Sequence, residues 1–488
     1  MPDATTARRW LDRRVVERVY GGRERFWVIV ALSGVLAVDA ADKGMVGATV
    51  TKLQSAFGIG PAAVGLMVTV SGLVAVVATL PFGALVDRVS RLRLLRVVIV
   101  TWAIAMAMGA AAPSFGWLVV SRLVLGLASA AAGPAVASLV GDWFASEERA
   151  RVMGLVLAGE LVGTGAGLVV GVAMAWLWWR LAFAAVALLS LLVVRVLGRL
   201  TEPSRDGSDT FPRPERSSMH RRGRRAPRRE RVAGPGEAAD DLPEPDSSVV
   251  AAFDGYGDLA HAPLRTVVVY VVRVRTNIVL MLSSALGYYV FAGLRTFGFE
   301  FAEVRYGASP AAVVVVVGVA GLAGLVGVVT GGRLADRLLS NGWARVRVVL
   351  PALTLLAMAA AFVPAVLVTS LAIAVPLLVA AAVFLALSNP PLDAARLDVL
   401  PPPLRGRAES IKTVLRSGLE AVAPVAFGAT AQLLGSGGSG LVWAMLIGAV
   451  PLLVSPVLLL VYGRRAYLGD VATASAVGAS SARRAAGG

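Results

Sequence analysis

Asp39, Asp42 and Lys43 interrupt one long apolar stretch, and Arg122 interrupts another. A charge near the middle of a bilayer costs about 2.5–3.5 kcal/mol on insertion scales, so each such residue needs a partner or a water-filled cavity. Asp39 and Lys43 stand four apart and can pair along one helix face. At a rise of about 1.5 Å per residue, Asp42 and Arg122 reach similar depth if their helices run in opposite directions. An Arg122–Asp42 bridge is then allowed, with Asp39 as the alternative acceptor. Two readings stand side by side: a substrate or proton-coupling cluster, and a permanent buried ion pair.

Glu160 lies near the middle of a further apolar stretch with no basic residue beside it. A carboxyl at that depth is either a proton carrier or a neutral acid held by one interhelical hydrogen bond. Glu409, Lys412, Arg416 and Glu420 follow at steps of three, four and four, which places all four on one helix face. That face either lines a cavity, or its first part is interfacial and Arg416 and Glu420 form a local pair. Arg295, Glu300 and Glu303 fit an outer gate or the headgroup layer equally well. The chain has no cysteine, and its two histidines, His220 and His261, lie in a polar central segment. Disulfides, thiolate chemistry and a zinc site are therefore not expected, nor is any cofactor or catalytic residue.

The elements that must position these charges follow from composition. The chain is 57% hydrophobic and only 16% charged over 488 residues, against roughly 25% charged in soluble proteins. Apolar runs of about 20 residues recur, each long enough to cross a hydrocarbon core, and in lipid they must be helical. The runs predict twelve helices near 26–50, 61–86, 94–112, 115–140, 150–172, 176–198, 276–303, 311–333, 345–366, 369–388, 405–434 and 439–462. The fold class expected is an all-α membrane protein with twelve transmembrane helices in two pseudo-symmetric six-helix bundles. The divisions are an amphipathic N-terminal segment 1–25, a bundle 26–198, a disordered linker 199–265, a bundle 266–462 and a disordered tail 463–488. One set of connecting loops holds Arg88, Arg91, Arg93, Arg96, Arg149, Arg151, Arg337, Arg345, Arg347, Arg396, Arg405 and Arg407. The opposite set holds little beyond Lys52, Arg180 and Arg305. Positive loops stay inside, so a multi-pass cell-membrane (inner-membrane) protein with both termini cytoplasmic is expected. The net charge of +16 includes a basic run at 221–231. That run reads first as plain linker, then as a contact for anionic headgroups; without aromatic interleaving it does not read as a nucleic-acid site.

A glycine followed at fixed spacing by Asp-Arg occurs twice: Gly83-Ala-Leu-Val-Asp87-Arg88 after the second helix and Gly332-Arg-Leu-Ala-Asp336-Arg337 after the eighth. Both precede further arginines, and the repeat implies two related halves. Here the chain resembles the major facilitator superfamily, whose loop between helices two and three reads Gly-x-Leu-x-Asp-Arg-x-Gly-Arg-Arg. Gly83, Leu85, Asp87, Arg88, Arg91 and Arg93 match, with Ser90 in place of the second glycine. The resemblance implies a cytoplasmic gate formed by Gly83, Asp87, Arg88 and Arg91, with Gly332, Asp336 and Arg337 as its second copy. A narrower resemblance is to the spinster-like branch, through Asp42-Lys43, Arg122-x-x-x-Gly126 and Arg405-Gly-Arg407-Ala-Glu409. A glutamate usual in that branch is Ser129 here, and Glu160 is a candidate replacement for it. Gly159, Gly163, Gly167 and Gly171 recur every fourth residue and predict a close helix–helix contact, as do Gly318, Gly321, Gly324 and Gly327. The Gly-Pro of the family's antiporter motif is absent from the fifth helix.

The expected function is secondary active transport, symport or antiport, by alternating access. The substrate class, a small amphipathic or lipid-like molecule, is what the spinster-like resemblance implies; the candidate substrate and proton-coupling residues are Asp39, Asp42, Lys43, Arg122, Glu160, Arg416 and Glu420, with protonation expected at the carboxylates of the first and fifth helices. The alternatives are a drug or small organic anion carrier and, in another class, a membrane-anchored scaffold acting through the basic linker. The expected partners are a small-molecule substrate and the bilayer, with the chain acting as a monomer.

Overall fold

The computed structural model describes residues 23–86, 89–144, 146–202, 243–254, 264–401, 404–435 and 438–487. Residues 1–22, Asp87 and Arg88 of the first motif copy, and the basic run 221–231 lie outside the described residues. The described residues are helical or in turns, without strands. They divide into two compact units, Met1–Arg225 and Ala226–Gly488.

The first unit holds α1 (Arg23–Phe57), α2 (Pro61–Val86), α3 (Arg91–Ala110), α4 (Phe115–Trp143), α5 (Ser146–Leu177) and α6 (Trp179–Leu197). Ser90 caps α3 and Ser114 caps α4, each through its side-chain oxygen accepting from a backbone amide. The core gathers Leu32, Met45, Trp102 and Phe183 from three of the helices. Its tightest contact is the one the glycine series predicts. A Cβ at Gly159, Gly163 or Gly167 would overlap the backbone of Ser33, Ala37 or Ala41, and one at Gly44 would overlap the Thr164 carbonyl oxygen. Helices α1 and α5 therefore run side by side in the same direction with their backbones touching. No other residue type allows that approach.

The second unit adds two short helices, α7 (Ser247–Asp254) and α8 (Leu264–Arg273). Then come α9 (Arg275–Tyr306), α10 (Pro310–Ser340), α11 (Val346–Leu367), α12 (Leu371–Asp398) and α13 (Arg405–Leu433). A final run is made of α14 (Gly438–Gly448), α15 (Pro451–Leu458), a π turn at Leu459–Gly463 and α16 (Arg464–Gly487). Pro451, which has no amide hydrogen, breaks this run after Gly448. Ten helices among the described residues are long and apolar enough to cross a membrane. The two long helices outside that set, α1 and α13, are the ones carrying Asp39, Asp42 and Lys43, and Glu409, Lys412, Arg416 and Glu420. With them each unit has six long helical runs.

Three expectations need correction. The tail after residue 463 is helical rather than disordered: its alanine-rich sequence favours helix, and it buries Tyr467, Ala472, Ala474 and Val477. Residues 247–254, placed in the disordered linker, form α7, because the Asp246 carboxylate accepts from Ser248 and Val249 amides and Val249 and Phe253 are buried. The second glycine series makes contact lower down than expected. Gly318 and Gly321 meet nothing among the described residues, whereas Gly327 and Gly331 abut the backbone of Val383 and Leu387 in α12.

Candidate functional site

In the first unit, α1 turns its glycine-packed side toward α5 and its acidic side toward α4. Arg122 on α4 donates from Nη1 to Asp42 Oδ1 at 2.7 Å. Arg122 is 1% exposed, so the pair is buried and little screened by solvent. The guanidinium also lies 5.0 Å from the centre of the Phe183 ring on α6 and 3.9 Å from Met106 Sδ on α3. Gly109 makes room for this arrangement: a Cβ there would sit 2.7 Å from the Phe183 ring and 3.3 Å from Arg122 Nη2. Arg122 Nε is buried without an acceptor among the described residues. One α-helical turn before Asp42, Asp39 accepts from the Ser129 hydroxyl at 3.1 Å and pairs with Lys43 at 2.6 Å. Ser129, which departs from the branch pattern, thus still meets the acidic pair of α1, as a neutral donor.

Glu160 stands elsewhere. With Gly159 against Ser33 and Gly167 against Ala41, Glu160 is level with residue 34 of α1, roughly 12 Å along the axis from Asp42. It is exposed on α5, and its carbonyl accepts from the Thr164 hydroxyl at 2.9 Å. Substitution for the missing carboxylate at position 129 therefore has no geometric support, since Ser129 sits opposite Asp39.

In the second unit the polar face of α13 splits in two. Glu420 does not pair with Arg416; it accepts from Arg295 Nη2 on α9 at 2.9 Å. Arg416 instead lies over the Tyr288 ring, 4.4 Å from its centre, and its Nε is buried with no acceptor among the described residues. Nearer the start of α13, Lys412 donates to Asp393 at 2.5 Å, and Glu409 accepts from Arg396 of α12. Sequence reasoning did not find Tyr288 as the partner of Arg416, nor Arg295 as that of Glu420. The spacing of seven between Tyr288 and Arg295 on α9 gives them one face, which was the available signal.

The arginine-rich ends of the helices carry a second pattern. Arg91, the first residue of α3, pairs with Asp142 near the end of α4, donates to Ser138 at 3.2 Å, and gives its amide to Glu202 at 2.6 Å. Burial raises the carboxyl pKa of Glu202, but hydrogen bonds from the Ser90 hydroxyl and from the Arg91 amide and side chain outweigh it and hold the pKa below its ordinary value. In the second unit Arg347, the second residue of α11, donates twice to Asp398 at the end of α12, at 2.8 and 2.7 Å. The Tyr467 hydroxyl donates to the same carboxylate at 2.5 Å. Each unit thus joins the start of its third long helix, the end of its fourth and a residue late in the chain of that unit, after the sixth helix in the first and in the last part of the sixth run in the second. Of the motif residues, Gly83 lies in the last turn of α2. Gly332 has Pro390 at ordinary contact distance from its would-be Cβ, Asp336 is 3.8 Å from Arg347, and Arg337 is exposed. Gly332, Asp336 and Arg337 lie within α10 rather than in a loop, because the helix continues to Ser340 before Gly342 turns the chain at φ +89°.

Three kinds of similarity accompany this geometry. The Major Facilitator Superfamily model matches residues 32–424. Among curated proteins, the Drosophila melanogaster protein spinster is 26% identical over 190 residues, 38% of this chain and 31% of that protein. A probable L-galactonate transporter of Escherichia coli K12 is 24% identical over 155 residues, 32% of this chain and 34% of that one. The chain thus spans about a third of the length of these curated relatives. Among solved structures, a bacterial homologue of the human lysosomal transporter Spinster superposes with a TM-score of 0.72 at 19% identity, covering 92% of this chain and 98% of that one. A D-xylose–proton symporter gives a TM-score of 0.62 at 14% identity, covering 89% and 97%. At these identities the structural likeness speaks for the fold.

Proposed function

The chain belongs to the major facilitator superfamily, a family of membrane transporters, and from that premise we propose that it is a proton-coupled secondary carrier of a small amphipathic or lipid-like molecule working by alternating access. The observation that carries this reading is the buried Arg122–Asp42 pair, set one turn from the Asp39–Ser129 contact. A pair this deep is costly to keep for stability alone, since apolar residues of similar volume would serve as well or better. Its value lies in switching. Protonation of Asp42 removes the charge that holds Arg122, and with Asp39 already engaged by Ser129 and Lys43 the guanidinium then takes an anionic group of the substrate. In the second unit, Arg416 over Tyr288 offers a cation beside an aromatic face, which suits a polar head joined to an apolar body. Glu420 and Arg295 are the exchangeable pair that supports it. Glu160 serves as a separate proton site on α5. The arginine-rich ends are cytoplasmic by the positive-inside rule. There Gly83, Asp87, Arg88 and Arg91 serve as the gate motif of the first unit, and Gly332, Asp336 and Arg337 as that of the second.

A second reading, carriage of a small organic anion, is favoured by the unsatisfied Arg416 Nε and by the similarity to a probable L-galactonate transporter. One experiment separates the two: reconstitution in liposomes under an imposed pH gradient, with lysolipids screened against small polar acids. Gradient-driven lysolipid flux supports the first reading, and acid flux alone the second. Flux indifferent to the gradient removes proton coupling. A scaffold acting through the linker would instead lose function on deletion of residues 205–242, which spares α7 and leaves flux intact if the chain is a carrier.

A further inference from the structure

Helix α8 presents apolar residues on both of its sides. Val267, Tyr270 and Val271 are buried, as is Val274 just beyond its end. The Tyr270 hydroxyl donates to the Val399 carbonyl at 3.3 Å, and the Phe253 ring meets the Tyr270 ring edge-on at 5.1 Å. This inward face is fully accounted for. The other face is not: Val268, Val269 and Val272 are exposed, with Val272 58% accessible. Arg265 and Arg273 flank them on the same stripe, also exposed, and Arg275 follows. A soluble surface helix would place polar residues there.

The position of the helix decides what covers this face. The chain turns at Val274 (φ −77°, ψ 101°), and α9, one of the apolar membrane-length helices, starts at Arg275. Val272 is therefore held within about 11 Å of the point where that helix begins. We propose that the outward face of α8 is a docking surface for anionic phospholipid, with its three valines seated at the boundary of the acyl chains and Arg265, Arg273 and Arg275 paired with headgroup phosphates. Charge and length both point to lipid. Arginine stems bury readily while their guanidinium groups reach outward to phosphate. A ten-residue helix exposes one face on the order of 200 Å², far short of the roughly 800 Å² per partner of a stable protein interface. On its inward face the same helix is tied through Tyr270 to Val399, the chain neighbour of Asp398 in the Arg347–Tyr467 cluster. Lipid docking at α8 holds whether or not the chain moves a substrate.

The absence of native cysteine allows a direct local test on the full-length chain. Val269→Cys carries a bimane fluorophore, in vesicles of phosphatidylcholine containing increasing headgroup-region spin-labelled phosphatidylglycerol or spin-labelled phosphatidylcholine. The expected result is quenching by the phosphatidylglycerol probe at a several-fold lower mole fraction. That preference should weaken by about fivefold for each arginine removed in Arg265→Gln and Arg273→Gln, and also on raising salt. Asn341→Cys, on an exposed turn, serves as the water-facing control. Equal quenching by the two lipids, an unchanged preference in the double arginine variant, or quenching at position 269 no greater than at 341 would each overturn the proposal. So would disulfide formation between unlabelled copies of the Val269→Cys variant in neutral vesicles, which would assign the face to a second copy. All the altered side chains are exposed, so the variants are expected to fold.

Discussion

Replacing Asp42 by leucine strands the Arg122 guanidinium in a site where it is 1% exposed. The bridge is 2.7 Å long between Nη1 and Oδ1, which puts the charge centres about 4 Å apart. At an effective dielectric of about 20, that geometry is worth roughly 4 kcal/mol. The same figure falls inside the range of about 3–5 kcal/mol expected when one partner of a buried pair is removed. Asp39 offers no ready substitute, because Ser129 and Lys43 already engage it. If the first unit unfolds as a cooperative block of about 200 residues, each kcal/mol lowers the midpoint by about 2–4 °C, so Asp42→Leu should lose on the order of 10 °C. The double variant Asp42→Leu/Arg122→Met removes the stranded charge as well and should recover most of that loss. Thermal unfolding of the purified full-length chain reads both numbers. A single variant as stable as the parent would refute the stranded charge, because Arg122 would then have another acceptor. A double variant no better than the single one would refute it equally, because packing rather than charge would carry the cost. Flux in liposomes then separates the two roles of the pair: one used in the transport cycle leaves the double variant stable but inactive, whereas a purely structural one leaves it stable and active.

Gly167→Val drives a side chain into the Ala41 backbone and must part α1 from α5, costing at least the 1–3 kcal/mol or so of overpacking. Gly165→Ala, with nothing within 4 Å, should instead gain up to about 1 kcal/mol from helix propensity, and the two melting points should move in opposite directions. Glu202 has its folded pKa held below the ordinary 4.5 by Ser90 and Arg91, which outweigh burial. Its contribution is therefore complete above that pH and lost as pH falls through the lower folded value. The stabilities of the parent chain and Glu202→Gln, followed between about pH 3 and 6, should converge at the acid end and separate above it. Asp470 accepts from the Thr276 amide at 2.8 Å in the first turn of α9, so Asp470→Ala should cost about 1 kcal/mol, typical of a lost N-terminal cap, and Asp470→Asn clearly less, as read by thermal unfolding. Glu420→Gln leaves Arg295 without its partner's charge and should alter substrate concentration dependence in the flux assay more than it alters stability, because both side chains are about a fifth exposed.

The residues alone determined what depends on local chemistry and on periodicity. Apolar run length required helices in lipid, arginine placement separated the two sets of loops, and the doubled Gly-x-x-x-Asp-Arg spacing disclosed two related halves. The depth match of Asp42 and Arg122 followed from helix rise alone, as did the contact face of Gly159, Gly163 and Gly167. Tertiary structure decided the partners. Four charges on one face of α13 have a fixed spacing along their own helix, but whether Glu420 reaches Arg416 or Arg295 depends on where α9 lies. Likewise the joining of Arg91 to Glu202 spans 111 positions of chain, that of Arg347 to Asp398 spans 51, and that of Tyr467 to Asp398 spans 69. The ordering of the tail rests on the same cause: alanine content permits a helix at 464–487, but burial of Tyr467 and Val477 against the rest of the unit stabilises it there. Spacing within one helix is set by covalent geometry and is legible in the residues; which helices touch is set by packing, a property of the whole chain.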